Sequence, residues 1–569
     1  MGDVVKLLLS LMCLVSTVLA VWSSNPAINL QISPGDIASI CPRIALGNEG
    51  DCYIAWFEQS GDALDVRLQR FDLLGNPLWG ADGVLVMEAA TGGEVSIWDL
   101  ETGPDGTVYL VTPVGLGDGL SLRAWKLSKS GSMLWGDSGV LLADSTSGWN
   151  ALFPCILADA SGGAYVSWTN EGPDSSFTYV QRLSAAGAPI WSSPVLFEPD
   201  SAGHLCCEAT LCPVGGVGDV AVITTVCTPD YWNKRMYATA LSPAGEPVWS
   251  SATIITDTRE VLQQSIMPPP HPDGDGGFYI TWPENTAGGQ TTVLVQHVDA
   301  DGTLRMPDGG APVSSLSSMN HIEPYLAASE SGAYVFWIML SAGQTHYAVC
   351  GQLLDPEGAP LWPASGKIII PLQTLGLTVA GVSTDGMNGF AVIDEEITGG
   401  GASDYRAVLI APDGNAVWSG SRKDFATGGH LRETPSISDL CWGQQWLGVW
   451  TDDRNGSSQI IAQNILTDGT LGIGSLGIGG QEPEPGRIGI SPNPFGASAT
   501  LSVLLDTACP VSLRLYDLSG RCVLSSDFGS MPAGHHDLPL IPGDAPSGIY
   551  IASVTMGDSV VSGRCILVR

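Results

Sequence analysis

Short runs of alternating apolar and polar residues, divided by turns rich in glycine, aspartate and serine, fill most of this chain. Tyr53-Ile54-Ala55-Trp56, Ala164-Tyr165-Val166-Ser167-Trp168, Phe278-Tyr279-Ile280-Thr281-Trp282 and Ala333-Tyr334-Val335-Phe336-Trp337 have the two-residue period and aromatic and β-branched content of half-buried strands. Before each such run lies a shorter apolar stretch, such as Cys41-Pro42-Arg43-Ile44-Ala45 or Ala151-Leu152-Phe153-Pro154-Cys155-Ile156. After it come a third strand, such as Val66-Arg67-Leu68-Gln69-Arg70-Phe71, a turn, and a fourth strand, such as Gly83-Val84-Leu85-Val86-Met87. Four strands joined by tight turns, repeated along the chain, predict an all-β protein without long helices.

The turn before the fourth strand sets the repeat. Gly75, Gly131, Gly187, Gly245, Gly302, Gly358, Gly414 and Gly469 follow one another at intervals of 55 to 58 residues. Four residues beyond six of them stands a tryptophan: Trp79, Trp135, Trp191, Trp249, Trp362 and Trp418, with Met306 and Ile473 in the other two places. Four antiparallel strands in about 56 residues make one blade of a β-propeller, so the pattern predicts eight blades. The eighth repeat runs into the glycine-rich segment 471–480 without a fourth strand of its own, whereas Val21-Trp22-Ser23-Ser24 matches Val248-Trp249-Ser250-Ser251. The N-terminal segment is therefore expected to complete the last blade and close the ring. A tryptophan locked to the period is expected to pack between sheets rather than to bind a ligand.

The first twenty residues, with Lys6, an apolar run from Leu7 and Val18-Leu19-Ala20, read as a signal peptide. The propeller is expected over 21–473, a glycine- and proline-rich linker over 474–486, and a second domain over 487–569. Short strands separated by Ser519-Gly520, Ala533-Gly534 and Ser547-Gly548 predict an immunoglobulin-like β-sandwich there. Ser491-Pro492-Asn493-Pro494-Phe495, Leu513-Arg514-Leu515-Tyr516-Asp517-Leu518-Ser519-Gly520-Arg521, Ala533-Gly534-His535-His536 and Ser547-Gly548-Ile549-Tyr550 follow in order. This succession resembles the C-terminal type A sorting domain of type IX secretion substrates, which is related to the immunoglobulin-like domain of flagellar hook-capping proteins. The resemblance implies a contact with the secretion machinery through Asn493, Pro494, Gly520, Gly534, Gly548 and Tyr550. It departs from the family at the end, where only Arg564 and Arg569 are basic. The repeats are similar to tandem units found beside such sorting domains in surface proteins, which implies a secreted or cell-surface location.

Composition narrows the partners. A net charge of −35 and six lysines among 569 residues argue against nucleic acid and anionic lipid. After the signal segment no stretch is long and apolar enough for a membrane-spanning helix. Of the cysteines, Cys41 and Cys52 flank one predicted hairpin and are the expected disulfide, while Cys206, Cys207, Cys212 and Cys227 cluster in one repeat.

Candidate chemistry is sparse. The turn Asp355-Pro356-Glu357-Gly358-Ala359-Pro360-Leu361-Trp362 does not fit the sialidase motif, and the repeats lack the threonine of the quinoprotein turn. His204, His271, His297, His321, His346, His430, His535 and His536 fall in no catalytic signature and read mostly as surface or turn residues. Asp273-Gly274-Asp275-Gly276-Gly277 and Asp452-Asp453-Arg454-Asn455 lack the spacing of a calcium loop. The expectation is thus a monomeric, non-enzymatic interaction protein with a glycan or protein ligand, no cofactor, no metal and no catalytic residues. The alternative is an extracellular enzyme with its site in the propeller funnel. Carboxylates or histidines converging from the inner strands of different blades distinguish the second from the first.

Overall fold

The computed structural model describes residues 22–473 and 488–567, except 49, 62, 92–97, 116–118, 146–148, 200–202, 230–233, 257–267, 287, 492–497, 506, 518–521, 544, 546–547 and 558. Two compact units divide the chain, Met1–Ile473 and Gly474–Arg569. Every regular element among the described residues is a β-strand, and no helix is long and apolar enough to cross a membrane.

The larger unit is an array of antiparallel sheets of propeller-like type. Six four-stranded sheets, over residues 39–91, 99–143, 150–197, 205–256, 271–312 and 320–373, each keep their strands in chain order. A seventh sheet contains two such four-strand sets, which share the long strand Lys423–Ile437. Its outermost member is Leu30–Gln31, which pairs with Ala462 and Ile461. We number the four-strand sets 1 to 8 along the chain. Buried clusters join each set to the next, and one cluster joins set 8 to set 1, placing Trp22, Leu30, Leu447, Val449 and Ile460 against Cys52, Ile54 and Trp56.

The repeated glycine and tryptophan work across neighbouring sets. Each tryptophan indole donates to a carbonyl in the signature turn of the following set: Trp79 to Lys129 at 2.8 Å, Trp135 to Ala185 at 3.1 Å, Trp191 to Pro243 at 3.1 Å, Trp249 to Ala300 at 2.9 Å and Trp418 to Thr467 at 2.9 Å. Trp22 does the same to Leu73 at 2.9 Å, from the segment before the strand Leu30–Gln31 into set 1. The indole lies on the turn glycine, whose φ is positive, and a Cβ at Gly302 would come within 2.7 Å of the Trp249 ring. The residue must therefore be glycine for two reasons, backbone conformation and close approach.

A second periodic lattice uses the third strand. Arg70, Lys126, Arg182 and His297 occupy one register position, each facing an aromatic ring on the second strand: Tyr53, Tyr109, Tyr165 and Tyr279. Each also pairs with an aspartate of its own first hairpin: Asp51, Asp105, Asp159 and Asp273. The Tyr53, Tyr109 and Tyr165 hydroxyls donate to carbonyls of the next set.

Two expectations about side chains are corrected. Cys41 and Cys52 are both free thiols, because Cys52 faces Leu46 while Cys41 sits at a bulge on the far side of the strand; the disulfide formed is Cys207–Cys227. His297 and His321 are buried rather than superficial, and His321 accepts from the Trp337 indole at 2.7 Å.

The smaller unit has two antiparallel sheets enclosing one apolar core that includes Leu501, Leu513, Leu538 and Val554. The strand orders run 488–491, 499–505, 534–540 in one sheet and 522–531, 509–517, 548–556, 559–567 in the other.

Candidate functional site

The first strands of successive sets lie beside one another, while the fourth strands do not, so the first strands converge on the centre of the array. Their register with the second strands defines levels along this inner wall. At one level Arg43 faces Ala55, Asp99 faces Val111, Cys155 faces Ser167, Tyr325 faces Phe336 and Ser436 faces Val449. Two residues further, Glu101 faces Tyr109 and His271 faces Tyr279. Positions that are equivalent in the repeat thus carry different chemistry in each set, unlike the period-locked residues around them.

Three carboxyl groups gather on one part of this wall. Asp99 is held by two backbone amides, its own neighbour Leu100 and Ile156 of the next set, both donating at 2.9 Å. Glu101 has its pKa raised to about 8, first by burial and then by the charges of Asp99 and Asp439. Asp439 stands in the hairpin after the inner strand of set 8, and its pKa rises to about 6. The main cause is the loss of bulk water around it, followed by the charge of Asp99. Asp439 is nevertheless exposed at the surface of the wall. At the level of Glu101, His271 is kept neutral by burial, with a pKa of about 4. Carboxyls from sets 2 and 8 therefore sense one another, one protonated near neutrality and one ionised. This is the arrangement that acid–base chemistry requires.

Arg43, on set 1, and Glu323 and Tyr325, on set 6, belong to the same wall. Burial raises the Tyr325 hydroxyl, the Glu323 carboxylate raises it further, and the Arg43 guanidinium opposes both. The charge of Arg43, in set 1, thus acts on a side chain of set 6.

Among the described residues two groups come within metal-ligand reach, Asp273 with His297 and Asp299, and His430 with Asp452 and Asp453. Asp273 is engaged by His297 at 2.8 Å and by the amides of Asp275 and Gly277, in the place that Arg182 and Asp159 take in set 3. Asp452 accepts from the Trp450 indole and from Arg454. Both groups are thereby accounted for as scaffold.

Of the sorting-motif residues, Asn493, Pro494 and Gly520 lie outside the described residues. Gly534 and Gly548 each open a strand, and Tyr550 is buried opposite Cys565, so these three share the smaller unit. Sequence reasoning missed Asp99, Glu101 and Asp439. The usable signal was Trp98-Asp99-Leu100-Glu101-Thr102, where an acidic pair replaces the proline-centred stretch of sets 1, 3, 6 and 8.

No protein-family model and no curated protein matches this chain. Among solved structures it is similar to a polysaccharide lyase of family 25, an ulvan lyase, with 10% identity, 70% of this chain and 97% of that one covered, and a TM-score of 0.42. It is similar also to the polysaccharide lyase Uly1, at 11% identity over 78% and 92% of the two chains with a TM-score of 0.40. The family-93 α-L-arabinofuranosidase of Fusarium graminearum matches at 11% identity over 56% and 93%, with a TM-score of 0.34. The expectation of a non-enzymatic interaction protein is corrected at this point. Carboxyls of different sets act on one another at the inner wall, Glu101 on the inner strand of set 2 and Asp439 in the hairpin after the inner strand of set 8, and this is the feature that distinguishes the enzyme alternative. Identities this low concern the fold alone, so substrate and reaction are argued from the residues of this chain.

Proposed function

We propose that the larger unit is an eight-bladed β-propeller closed by its N-terminal strand, and that its central channel is the active site of an exported hydrolase of glycosidic bonds. Eight apolar clusters linking successive four-strand sets in a cycle support the architecture. The observation that carries the function is the coupling of Glu101, Asp439 and Asp99 on the inner wall. Glu101, protonated below pH about 8, is the general acid that donates to the departing glycosidic oxygen. Asp439, ionised above pH about 6, is the carboxylate that activates water or meets the developing positive charge. Asp99, fixed by its two amides, maintains the acid in its neutral form. The net charge of −35 disfavours a polyanionic chain as substrate, so the reading is a neutral glycan. Reducing-end release from neutral polysaccharides tests it. Glu101→Gln and Asp439→Asn are expected to lower kcat by about 10²-fold or more each, as loss of a general acid or base does. Unchanged turnover in both variants refutes the assignment.

The smaller unit, with a core of its own, is on this reading the sorting domain that the resemblance implies. Deleting residues 474–569 is expected to leave the propeller folded and inside the producing cell; unchanged export contradicts the role.

A further inference from the structure

Among the described residues seven non-glycine residues have a positive φ, and four of them fall at one place in the repeat: Cys41 (φ 53°), Phe153 (49°), Glu323 (50°) and Thr434 (49°). Each lies on the first strand of its set, directly before a proline, inside a slip in register between the first and second strands. Left-handed backbone is costly for a residue with a Cβ, and the following proline restricts it further. Elsewhere this chain places glycine at almost every such position. A side chain retained at four equivalent strained sites is therefore held for what it does.

The four belong to sets 1, 3, 6 and 8, at one level of the inner wall, two residues before the level of Arg43 and Tyr325. Glu323 and Thr434 are exposed, Phe153 is half-buried, and Thr434 hydrogen-bonds Thr451, which also receives the Cys41 amide at 3.1 Å. An aromatic ring, a carboxyl and a hydroxyl at one level of the inner wall, with Arg43 and Tyr325 two residues on, offer what a sugar ring uses: a flat apolar face and polar groups. The level of Glu323 is four residues from that of Glu101, or about 10–13 Å at the rise of a strand.

Building on the hydrolase reading, we infer that this bulge ring is a second sugar-binding subsite at the mouth of the channel, so that the substrate is an oligosaccharide or longer chain reaching from the ring to Glu101. The chain enters by the end of the channel that carries the bulges, opposite the signature turns. Phe153 and Tyr325 supply stacking surfaces, while Glu323 and Thr434 supply hydrogen bonds.

Glycine variants test this, because they remove the side chain while easing the backbone. Phe153→Gly, Glu323→Gly and Thr434→Gly are expected to keep or raise Tm and to increase KM for neutral hexasaccharides by about tenfold with kcat nearly constant. KM unchanged in all three, with Glu101→Gln inactive, overturns the subsite and leaves the hydrolase reading intact. A Tm lowered by all three shows that the residues serve the fold, and also overturns it. Calorimetric titration of the Glu101→Gln protein with the same hexasaccharides provides a readout independent of turnover. Binding lost in the glycine double variants supports the subsite; binding by none of the proteins removes both readings.

Discussion

Glu101 is a carboxyl group in a setting that favours its neutral form, and that preference has a cost at high pH. Its folded pKa of about 8 lies above the ordinary carboxyl value, so the folded state holds a proton that the unfolded chain has released. The stability this contributes is full at low pH and is lost as pH rises through about 8. Glu101→Gln, which cannot ionise, is therefore expected to be more stable than the native protein at pH 9, by roughly 1–3 kcal/mol, and equal to it near pH 4. Denaturant unfolding at the two pH values reads this difference, and a variant no more stable at pH 9 contradicts the environment assigned to Glu101. The sequence marks this residue only as a break in the repeat. Alignment on the glycines highlights what the repeats share, while Asp99, Glu101 and Asp439 are visible only as departures at inner-strand positions. Their proximity depends on how sets 2 and 8 flank set 1, a relation between segments more than three hundred residues apart.

At the scale of an element, the signature tryptophan is a link between one set and the next. The sequence shows the period; the structure shows that each indole reads the turn of its successor through one hydrogen bond and one glycine contact. Trp22 is the case that matters most, since it precedes the strand Leu30–Gln31 that is the last of set 8, and its indole reaches Leu73 of set 1. Its side chain is 2% exposed. Trp22→Ala removes a buried indole and leaves the carbonyl of Leu73 with the Gln445 amide as its remaining side-chain donor. The expected cost is about 3 kcal/mol, seen as a fall in Tm, with Trp79→Ala as a comparison within the array. A Trp22→Ala protein as stable as the native one denies that the N-terminal strand closes the ring. The cysteines show where sequence fails at this scale. Cys41 and Cys52 flank a hairpin, but the register sets Cys52 opposite Leu46 and leaves Cys41 further back along the strand, at a bulge. A bulge is a feature of pairing, and the pattern of one strand does not reveal it.

Taken whole, the molecule separates a repeated scaffold from a wall that does not repeat. Tyrosines, the basic third-strand residues, tryptophans and turn glycines recur because they join neighbouring sets. The inner strands vary because they face the centre, and there the carboxyls of sets 2 and 8 meet. The all-β character and the array of four-stranded sheets were readable from period and turn chemistry, since each set resembles every other. The proposed active site was not, because residues brought together from different sets have no local signature. The pH dependence of kcat on a neutral oligosaccharide tests the central claim most directly. The account predicts a bell with limbs near pH 6, where Asp439 ionises, and near pH 8, where Glu101 loses its proton, and loss of the upper limb in Glu101→Gln. Turnover that Glu101→Gln leaves intact in both rate and pH profile would contradict it.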